Sequence, residues 1–183
     1  MARVIIVGDG PGGLSAALFL AKNGHEVKVF GTDKTAMHYA YLYNYLGIPE
    51  ISGTEFQQIA RKQASDAGAE LIDEEVTAVA AVDGGFEVTA GADRYQADYL
   101  ILTEGKDPQL ARSLGVEFDD SGAVAVDENF RSSVDRVYVV GRAVRPTRSQ
   151  AIISAGDGAA AALDIMAREA GKDIQDWDTP PKD

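Results

Sequence analysis

The positions of apolar residues divide the start of the chain into three predicted elements. Residues 4–7 form an apolar run with the length of a buried parallel strand, and residues 27–30 are predicted to form the next strand. Between them, apolar residues recur at helical spacing from Leu14 to Ala21, and Asn23-Gly24 is a typical helix end. The pattern predicts a βαβ unit, in which a helix connects two parallel strands.

The rest of the pattern predicts an α/β fold. Ser52 and Glu55 form a capping box that starts a helix closing near Gly68, and a longer helix is predicted at residues 151–169. We expect one domain over residues 1–170, with a parallel sheet, helices and an antiparallel three-strand meander, followed by a loose acidic tail at residues 171–183. The tail carries Trp177, which could dock on the body or on a partner. The later strands are predicted at residues 69–72, 76–82, 86–90, 94–97, 99–102, 124–126 and 137–140.

The turn between the first strand and the first helix is a G-x-G-x-x-G motif that runs from Gly8 to Gly13. In such a motif Gly8 permits the tight turn, Gly10 lets a pyrophosphate approach the backbone, and Gly13 lets the helix pack against the sheet. The free N–H groups and the positive dipole end of the helix then face the phosphates. A merely structural glycine turn is the alternative, but the flanking strand and helix favour dinucleotide binding.

One part of this motif is missing at the end of the second strand. An acidic residue is expected there to bind a ribose hydroxyl, but the position is Gly31. Asp33 lies two residues later and could substitute for the missing acid. It could equally be an ordinary loop residue.

The charge of the chain limits its partners. The formal net charge is −12, and such a surface repels nucleic acid and anionic lipid, so we expect neither as a partner. The excess of acidic residues over lysine fits a protein kept soluble in concentrated salt, with plain acidity for solubility as the alternative. No apolar run is long enough to span a membrane and no signal peptide is recognisable, so we expect a cytoplasmic protein.

Thiol and metal chemistry are not expected. The sequence contains no cysteine and only two histidines, His25 and His38, which argues against disulfides, thiolate redox chemistry and a metal site. No acid–base pair stands out either, so no catalytic residue is predicted.

Four tyrosines, Tyr39, Tyr41, Tyr43 and Tyr45, alternate along one segment. An extended chain there would carry all four on one face. The rings could stack on a planar ligand. Alternatively, they could form a half-buried packing strip or a subunit contact.

Three motifs follow one another along the chain. The glycine turn reads GDGPGGLSAAL, residues 44–49 read NYLGIP and precede ISG at residues 51–53, and residues 150–158 read QAIISAGDG. Together these segments resemble the FAD-binding domain of thioredoxin reductases, where the second and third motifs read N-[YFW]-P-G-[FI]-P and Q-A-x-x-S-A-G-x-G. The resemblance covers most of the chain and implies a Rossmann-like FAD/NAD(P)-binding fold.

The resemblance also implies a set of FAD-binding residues. The glycine turn would hold the pyrophosphate and line the flavin, and the backbone at the start of the meander would meet adenine. The start of the last helix would cover the pyrimidine edge of the flavin. The residues implied are Gly8, Gly10, Pro11, Gly12, Gly13, Asn44, Val76, Thr103, Gly105, Gly141, Arg142, Gln150, Ala151 and Ile152.

Besides Gly31, and Leu46 where the second motif usually has proline, the chain departs from this family in three places. Glu104 stands in the middle of the family's A-T-G turn, and Arg142 replaces the aspartate of its G-D pair. Arg142, and with it Arg145 and Arg148, could pair with the pyrophosphate or remain surface charges. The third departure is that only about thirty residues join Gly105 to the strand at residue 137, with no second glycine motif. The family's NADPH-binding domain and reactive cysteines are therefore absent from the sequence.

The leading functional hypothesis is an FAD-binding oxidoreductase without dithiol chemistry of its own. Its electrons would come from an external redox partner or from free NAD(P)H. One alternative is a non-catalytic flavin-binding or interaction protein, and another is an NAD(P)-binding module without flavin. By analogy with the family we also expect a homodimer.

Overall fold

The computed structural model describes residues 1–180 and contains four helices and ten strands. Two single 3₁₀ turns, Ala36–Tyr39 and Gly141–Ala143, accompany the regular elements. The helices are α1 (Pro11–Lys22), α2 (Gly53–Asp66), α3 (Gln109–Ser113) and α4 (Ala151–Ala170). The strands are β1 (Arg3–Val7), β2 (Glu26–Phe30), β3 (Tyr41–Leu42), β4 (Ile51–Ser52), β5 (Glu70–Ile72), β6 (Val76–Val82), β7 (Gly85–Ala90), β8 (Asp93–Ala97), β9 (Tyr99–Leu102) and β10 (Val137–Val139).

Five parallel strands form the main sheet in the order β10-β9-β1-β2-β5. β1 lies at its centre, where Val4 is in register with Val27 on one side and with Tyr99 on the other. The strand order reverses direction at β1, since β2 and β5 lie on one side and β9 and β10 on the other. In an open α/β sheet, ligands bind outside the carboxyl ends of the strands at such a point.

The alternation of β1 divides the core into two layers. Val4 and Ile6 pack with the small residues of α1 and α4, whereas Ile5 and Val7 pack with the meander β6-β7-β8. Both faces of β1 are therefore buried, as its continuous apolar sequence requires. The predicted α/β class, with a parallel sheet and an antiparallel three-strand meander, is confirmed.

Small residues bring α1 and α4 close together. A Cβ added to Gly158 in α4 would collide with the carbonyl oxygen of Gly12 at the start of α1. A Cβ on Gly12 would in turn lie 3.1 Å from the carbonyl oxygen of Ser154. The contact between these helices is thus backbone against backbone, and it fixes the start of α4 beside the glycine turn.

Two sequence predictions differ from the structure. The strand predicted at residues 124–126 is only an isolated bridge between Phe118 and Val124, because the N–H of Val124 donates to the carbonyl of Ala143 instead. In the tail, Ile174 packs against the core and Lys22 Nζ donates to Asp176 at 3.0 Å. Trp177 does not dock on the body, since it is 84% exposed, and docking on a partner stays a prediction. Residues 181–183 of the predicted tail lie outside the described residues.

Within residues 1–180, no helix combines the length and the apolar character that crossing a bilayer requires. The same residues contain no group of three or more His, Asp or Glu side chains that could hold a metal ion.

Candidate functional site

A cavity of about 1060 Å³ lies at the carboxyl ends of the parallel strands. Loops that follow β1, β2, β9 and β10 all contribute to its walls. Because β1 is central, residues after β2 lie on one side of the glycine turn and residues after β9 and β10 lie on the other. The cavity is at the upper end of the usual size of small-molecule sites, and its position on both sides of the turn suits an elongated ligand.

The glycines of the turn have different structural constraints. Gly8 has φ +105°, and a Cβ there would lie 2.5 Å from the carbonyl oxygen of Thr103. A Cβ on Gly13 would collide with the carbonyl oxygen of Gly8. At Gly10, by contrast, the nearest atom to a Cβ would be Thr35 Oγ1 at 3.8 Å. Gly8 and Gly13 are therefore required by the fold, whereas Gly10 leaves open space on the cavity side.

Two helices begin at this cavity without a capping side chain. α1 starts at Pro11 after Gly10, and α4 starts at Ala151 after Gln150, and neither preceding residue makes a side-chain cap hydrogen bond. The first N–H groups of a helix have no partner inside it and carry partial positive charge. Both helix starts line the cavity with groups that suit an anionic or electron-rich ligand.

The second and third sequence motifs meet at the rim of the cavity. Asn44 Nδ2 donates to Gln150 Oε1 at 3.1 Å, across 106 residues of sequence. Gln150 lines the cavity, but Asn44 does not. Asn44 lines a smaller, open pocket of about 500 Å³ that is formed by residues 43–49. The two motifs are therefore joined by a hydrogen bond, with Gln150 on the inner side.

The structure brings most of the implied residues together around one cavity. The residues that line it are Gly8, Gly10, Pro11, Gly12, Val76, Thr103, Gly105, Gly141, Arg142, Gln150 and Ala151. Gly13 lies beneath the turn, Ile152 lies one residue further into α4, and neither lines the cavity.

Asp33, the possible substitute for the missing acid, does not line the cavity either. It adopts φ +56°, and its N–H donates to Asp9 Oδ2 at 3.1 Å. Its carboxylate lies 3.2 Å from Nε2 of His38. These contacts are those of a loop residue that positions its neighbours.

The alternating tyrosines do not face the cavity. The segment is not one extended strand, because Tyr39 ends a 3₁₀ turn before Tyr41 enters β3. Tyr39 and Tyr43 are exposed, and Tyr45 packs against Phe56. The possibility that the set stacks on a planar ligand in the cavity is wrong, and so is a half-buried packing strip. A subunit contact stays a prediction.

The three arginines after β10 have different surroundings. Arg142 lines the cavity and is exposed. Arg145 is directed elsewhere, since its Nη1 donates to Asp157 Oδ2 at 2.5 Å and its guanidinium lies over the ring of Phe130. Arg148 does not line the cavity. Only Arg142 is therefore placed to meet a ligand.

Sequence reasoning missed a polar cluster under the glycine turn. Asp9 is 5% exposed and lines the cavity, and its backbone carbonyl accepts a hydrogen bond of 2.6 Å from Gln57 Nε2. Its carboxylate pairs with Arg61, whose Nη2 lies 2.5 Å from Asp73. Gln57 and Arg61 are one helical turn apart in α2. That i, i+4 spacing of polar residues was the signal that could have revealed the cluster.

Glu104 is a second polar residue whose role the sequence did not show. Its carboxylate accepts hydrogen bonds from the N–H groups of Leu110 and Ala111, at 2.7 and 3.0 Å. Burial raises the pKa of Glu104, and these two donors oppose the rise only in part. Glu104 therefore ties the loop after β9 to the start of α3 while it lines the cavity.

A family model described as "Pyridine nucleotide-disulphide oxidoreductase" matches the chain in two segments, residues 2–52 and 45–159. The chain belongs to the pyridine nucleotide-disulphide oxidoreductase family. The glycine turn, Gln150 and the first half of α4 all lie within the matched segments.

Curated relatives in this family include thioredoxin reductases and dihydrolipoyl dehydrogenases, which are FAD-dependent. A thioredoxin reductase of Spironucleus barkhanus is 32% identical over 146 residues, covering 75% of this chain and 48% of that protein. A dihydrolipoyl dehydrogenase of Haloferax volcanii is 26% identical over 183 residues, covering 94% of this chain and 36% of that protein. The chain thus spans less than half the length of these two relatives.

A solved structure shows the same fold. The thioredoxin reductase from Gloeobacter violaceus superposes with a TM-score of 0.88 at 18% identity, covering 97% of this chain and 99% of that chain. The resemblance to the FAD-binding domain of thioredoxin reductases, which the three motifs indicated, is confirmed.

Proposed function

We propose that this protein binds FAD in the cavity at the carboxyl edge of the sheet and acts as a flavin-dependent oxidoreductase. The observation that carries the proposal is the meeting of two uncapped helix starts, those of α1 and α4, at one cavity that extends to both sides of the glycine turn. FAD supplies the electron-transfer chemistry when it is bound, and the protein supplies binding, orientation and electrostatics.

The residues present fit a dinucleotide. Gly10 leaves open space beside the uncapped start of α1, which suits the approach of a pyrophosphate to backbone N–H groups. On the β2 side, Val76 supplies a buried apolar wall for adenine. On the β10 side, Gln150 and Ala151 present the start of α4, whose dipole favours negative charge on the adjacent ring.

The proposal assigns the electron donor to a molecule outside the chain, either a redox partner or free NAD(P)H. The sequence contains no second G-x-G-x-x-G motif and no cysteine. Without a thiolate, the chain has no group that could exchange with a disulfide. Any reduction of a disulfide therefore requires a thiol from elsewhere.

The absorption spectrum of the purified protein, with and without added FAD, tests the binding step and the electron-transfer step separately. We expect flavin bands that remain with the protein through gel filtration and bleach when NADH or NADPH is added. Bands that remain but bleach with neither nucleotide, nor with dithionite-reduced ferredoxin as an external donor, would indicate a flavin-binding protein without this activity. No retained flavin would contradict the proposal as a whole.

The Gly10→Val variant tests the position of the pyrophosphate. The fold tolerates the added side chain, because its Cβ would meet only Thr35 at ordinary contact distance. The valine would fill the space next to the N–H groups of α1, so FAD binding should fall by at least about tenfold while the melting temperature changes little.

Gly156→Val is the matched control for this variant. Gly156 lies in α4, is exposed, and has no atom within 4 Å of an added Cβ. This variant should bind FAD like the wild type. Equal retention of flavin by both variants would mean that the pyrophosphate does not bind next to Gly10.

A further inference from the structure

Asp9 leaves room only for a glycine at position 31, where an acid is expected to bind the ribose. A Cβ on Gly31 would lie 2.5 Å from Asp9 Oδ1 and would collide with the rest of that carboxyl group. The Asp9 carboxyl therefore occupies the space that a side chain at the end of β2 would need. The acid that the dinucleotide motif places after the second strand has no room here unless Asp9 is removed.

The structure holds the Asp9 carboxylate by one of its two oxygens. Oδ2 pairs with Arg61 and accepts the N–H of Asp33 at 3.1 Å. Among residues 1–180, no hydrogen bond is made to Oδ1. Asp9 lines the cavity, so its second oxygen remains as an acceptor on the wall next to Gly31.

The backbone of Asp9 is fixed as firmly as its side chain. Gln57 is fully buried and donates to the Asp9 carbonyl at 2.6 Å, and Arg61 reaches the carboxylate from the next turn of α2. Arg61 is itself held by Asp73 at 2.5 Å. A side chain fixed in this way loses little further freedom when it binds a ligand.

We propose that Asp9 is the ribose-binding acid of this site, and that the acid has moved from the end of β2 into the glycine turn. Its Oδ1 accepts hydrogen bonds from the hydroxyls of the adenosine ribose, and Gly31 is the complement that makes room for it. This inference rests on the proposed binding of FAD. With Asp9 in this role, the site keeps a carboxylate for the ribose although position 31 is a glycine.

The test removes the hydroxyls from the ligand and the carboxylate from the protein. The probes are FAD and its 2′,3′-dideoxyadenosine analogue, and the quantity measured is the ratio of their dissociation constants, from quenching of flavin fluorescence. Wild-type protein should bind FAD about tenfold or more tightly than the analogue, because a hydrogen bond to a charged acceptor is lost. Asp9→Ala should bind both with nearly equal affinity.

Three further variants make the result specific. Asp9→Asn keeps the size of the side chain, so it decides the question if Asp9→Ala fails to fold, and it should lose most of the discrimination. Asp33→Asn changes the neighbouring acid, whose carboxylate faces His38, and should keep the wild-type ratio. The double variant Asp9→Gly with Gly31→Glu restores the usual arrangement of the motif and should regain discrimination between the two ligands.

The outcomes separate this inference from the proposed function. Wild-type protein that binds FAD and the analogue equally would overturn the role of Asp9 while FAD binding stands. Discrimination that is lost in Asp33→Asn and kept in both Asp9 variants would assign the acid to Asp33 instead. Protein that binds neither dinucleotide would overturn the proposed function and this inference with it.

Discussion

At the scale of single residues, the site depends on side chains whose roles are set by what stands next to them. Arg142 and Arg145 come three residues apart in the same loop, yet Arg142 is exposed on the cavity wall while Arg145 is paired with Asp157. Burial raises the pKa of Asp157, and Arg145 opposes that rise by donating to it. Sequence spacing alone could not separate the two arginines, because the difference lies in α4.

Arg142 is expected to contribute to FAD affinity. An arginine can donate charge-assisted hydrogen bonds to a pyrophosphate, and Arg142 is exposed on the cavity wall. Arg142→Ala should weaken FAD binding by about tenfold at low salt, with a smaller loss at high salt because the exposed contact is screened. The measurement is the dissociation constant at two fixed salt concentrations.

Arg148→Ala provides the comparison for Arg142→Ala. Arg148 belongs to the same loop, is exposed and does not line the cavity. Its replacement by alanine changes the net charge by the same amount as Arg142→Ala. Equal losses in the two variants would mean that the cluster acts only through general charge.

At the scale of elements, the strands and helices with a clear period were predictable and the polar contacts between them were not. α2 illustrates both results. Its capping box is present, since Ser52 Oγ accepts the N–H of Glu55 at 3.1 Å. Helical spacing places Ile59 on the apolar face of α2, but Ile59 is 47% exposed and Gln57 is fully buried instead. A glutamine enters the core there because the carbonyl of Asp9 needs a donor, and the spacing of apolar residues in α2 does not show that need.

The contact between Glu104 and α3 predicts a pH dependence of stability. The folded-state pKa of Glu104 is raised above its usual value of 4.5, so the folded state takes up a proton more readily than the unfolded state. Acidification from neutral pH towards about 4.5 should therefore stabilise the wild type relative to Glu104→Gln, because the cost of burying a charged carboxylate is removed. Thermal melts of both proteins across this range would measure the effect.

Asp119→Asn is a useful control of opposite sign. The hydroxyl of Ser121 and neighbouring backbone N–H groups lower the pKa of Asp119 below 3.8. The wild type should accordingly lose stability relative to Asp119→Asn only when the pH falls below that value. For Glu104, the opposite result would be a wild type that loses stability relative to Glu104→Gln on acidification towards pH about 4.5. That result would mean that the two N–H donors affect the pKa of Glu104 more than burial does.

At the scale of the whole molecule, the fold and the location of the cavity could be predicted from the sequence. The fold depends on the spacing of apolar residues, and the location of the cavity depends on the G-x-G-x-x-G motif. The order of the strands in the main sheet places the turn from Gly8 to Gly13 at its switch point, and the resemblance implied that the start of α4 lies at the same site. What the sequence could not show was the acid in the turn. That required the distance between position 31 and Asp9, which is a property of the folded chain.

The net charge of −12 predicts that salt stabilises the protein. Like charges repel across an acidic surface, and screening shortens the range of that repulsion to about 3 Å at 1 M salt. The melting temperature should rise from low to molar KCl. A neutral solute such as glucose at matched osmolality controls for general solvent effects, and a flat or falling melting temperature in KCl would show that lost ion pairs outweigh the relieved repulsion.

The backbone contact between Gly12 and Gly158 also sets the order in which the site can form during synthesis. The glycine turn leaves the ribosome well before α4, which builds the wall that faces it. Such a contact of long sequence separation forms late, after the intervening strands have paired. The nascent chain therefore presents an open turn and no finished cavity until α4 has emerged. Under the proposed function, FAD is captured only after α4 has emerged, and a ribosome-bound chain halted before α4 should retain no flavin once unbound FAD has been washed away.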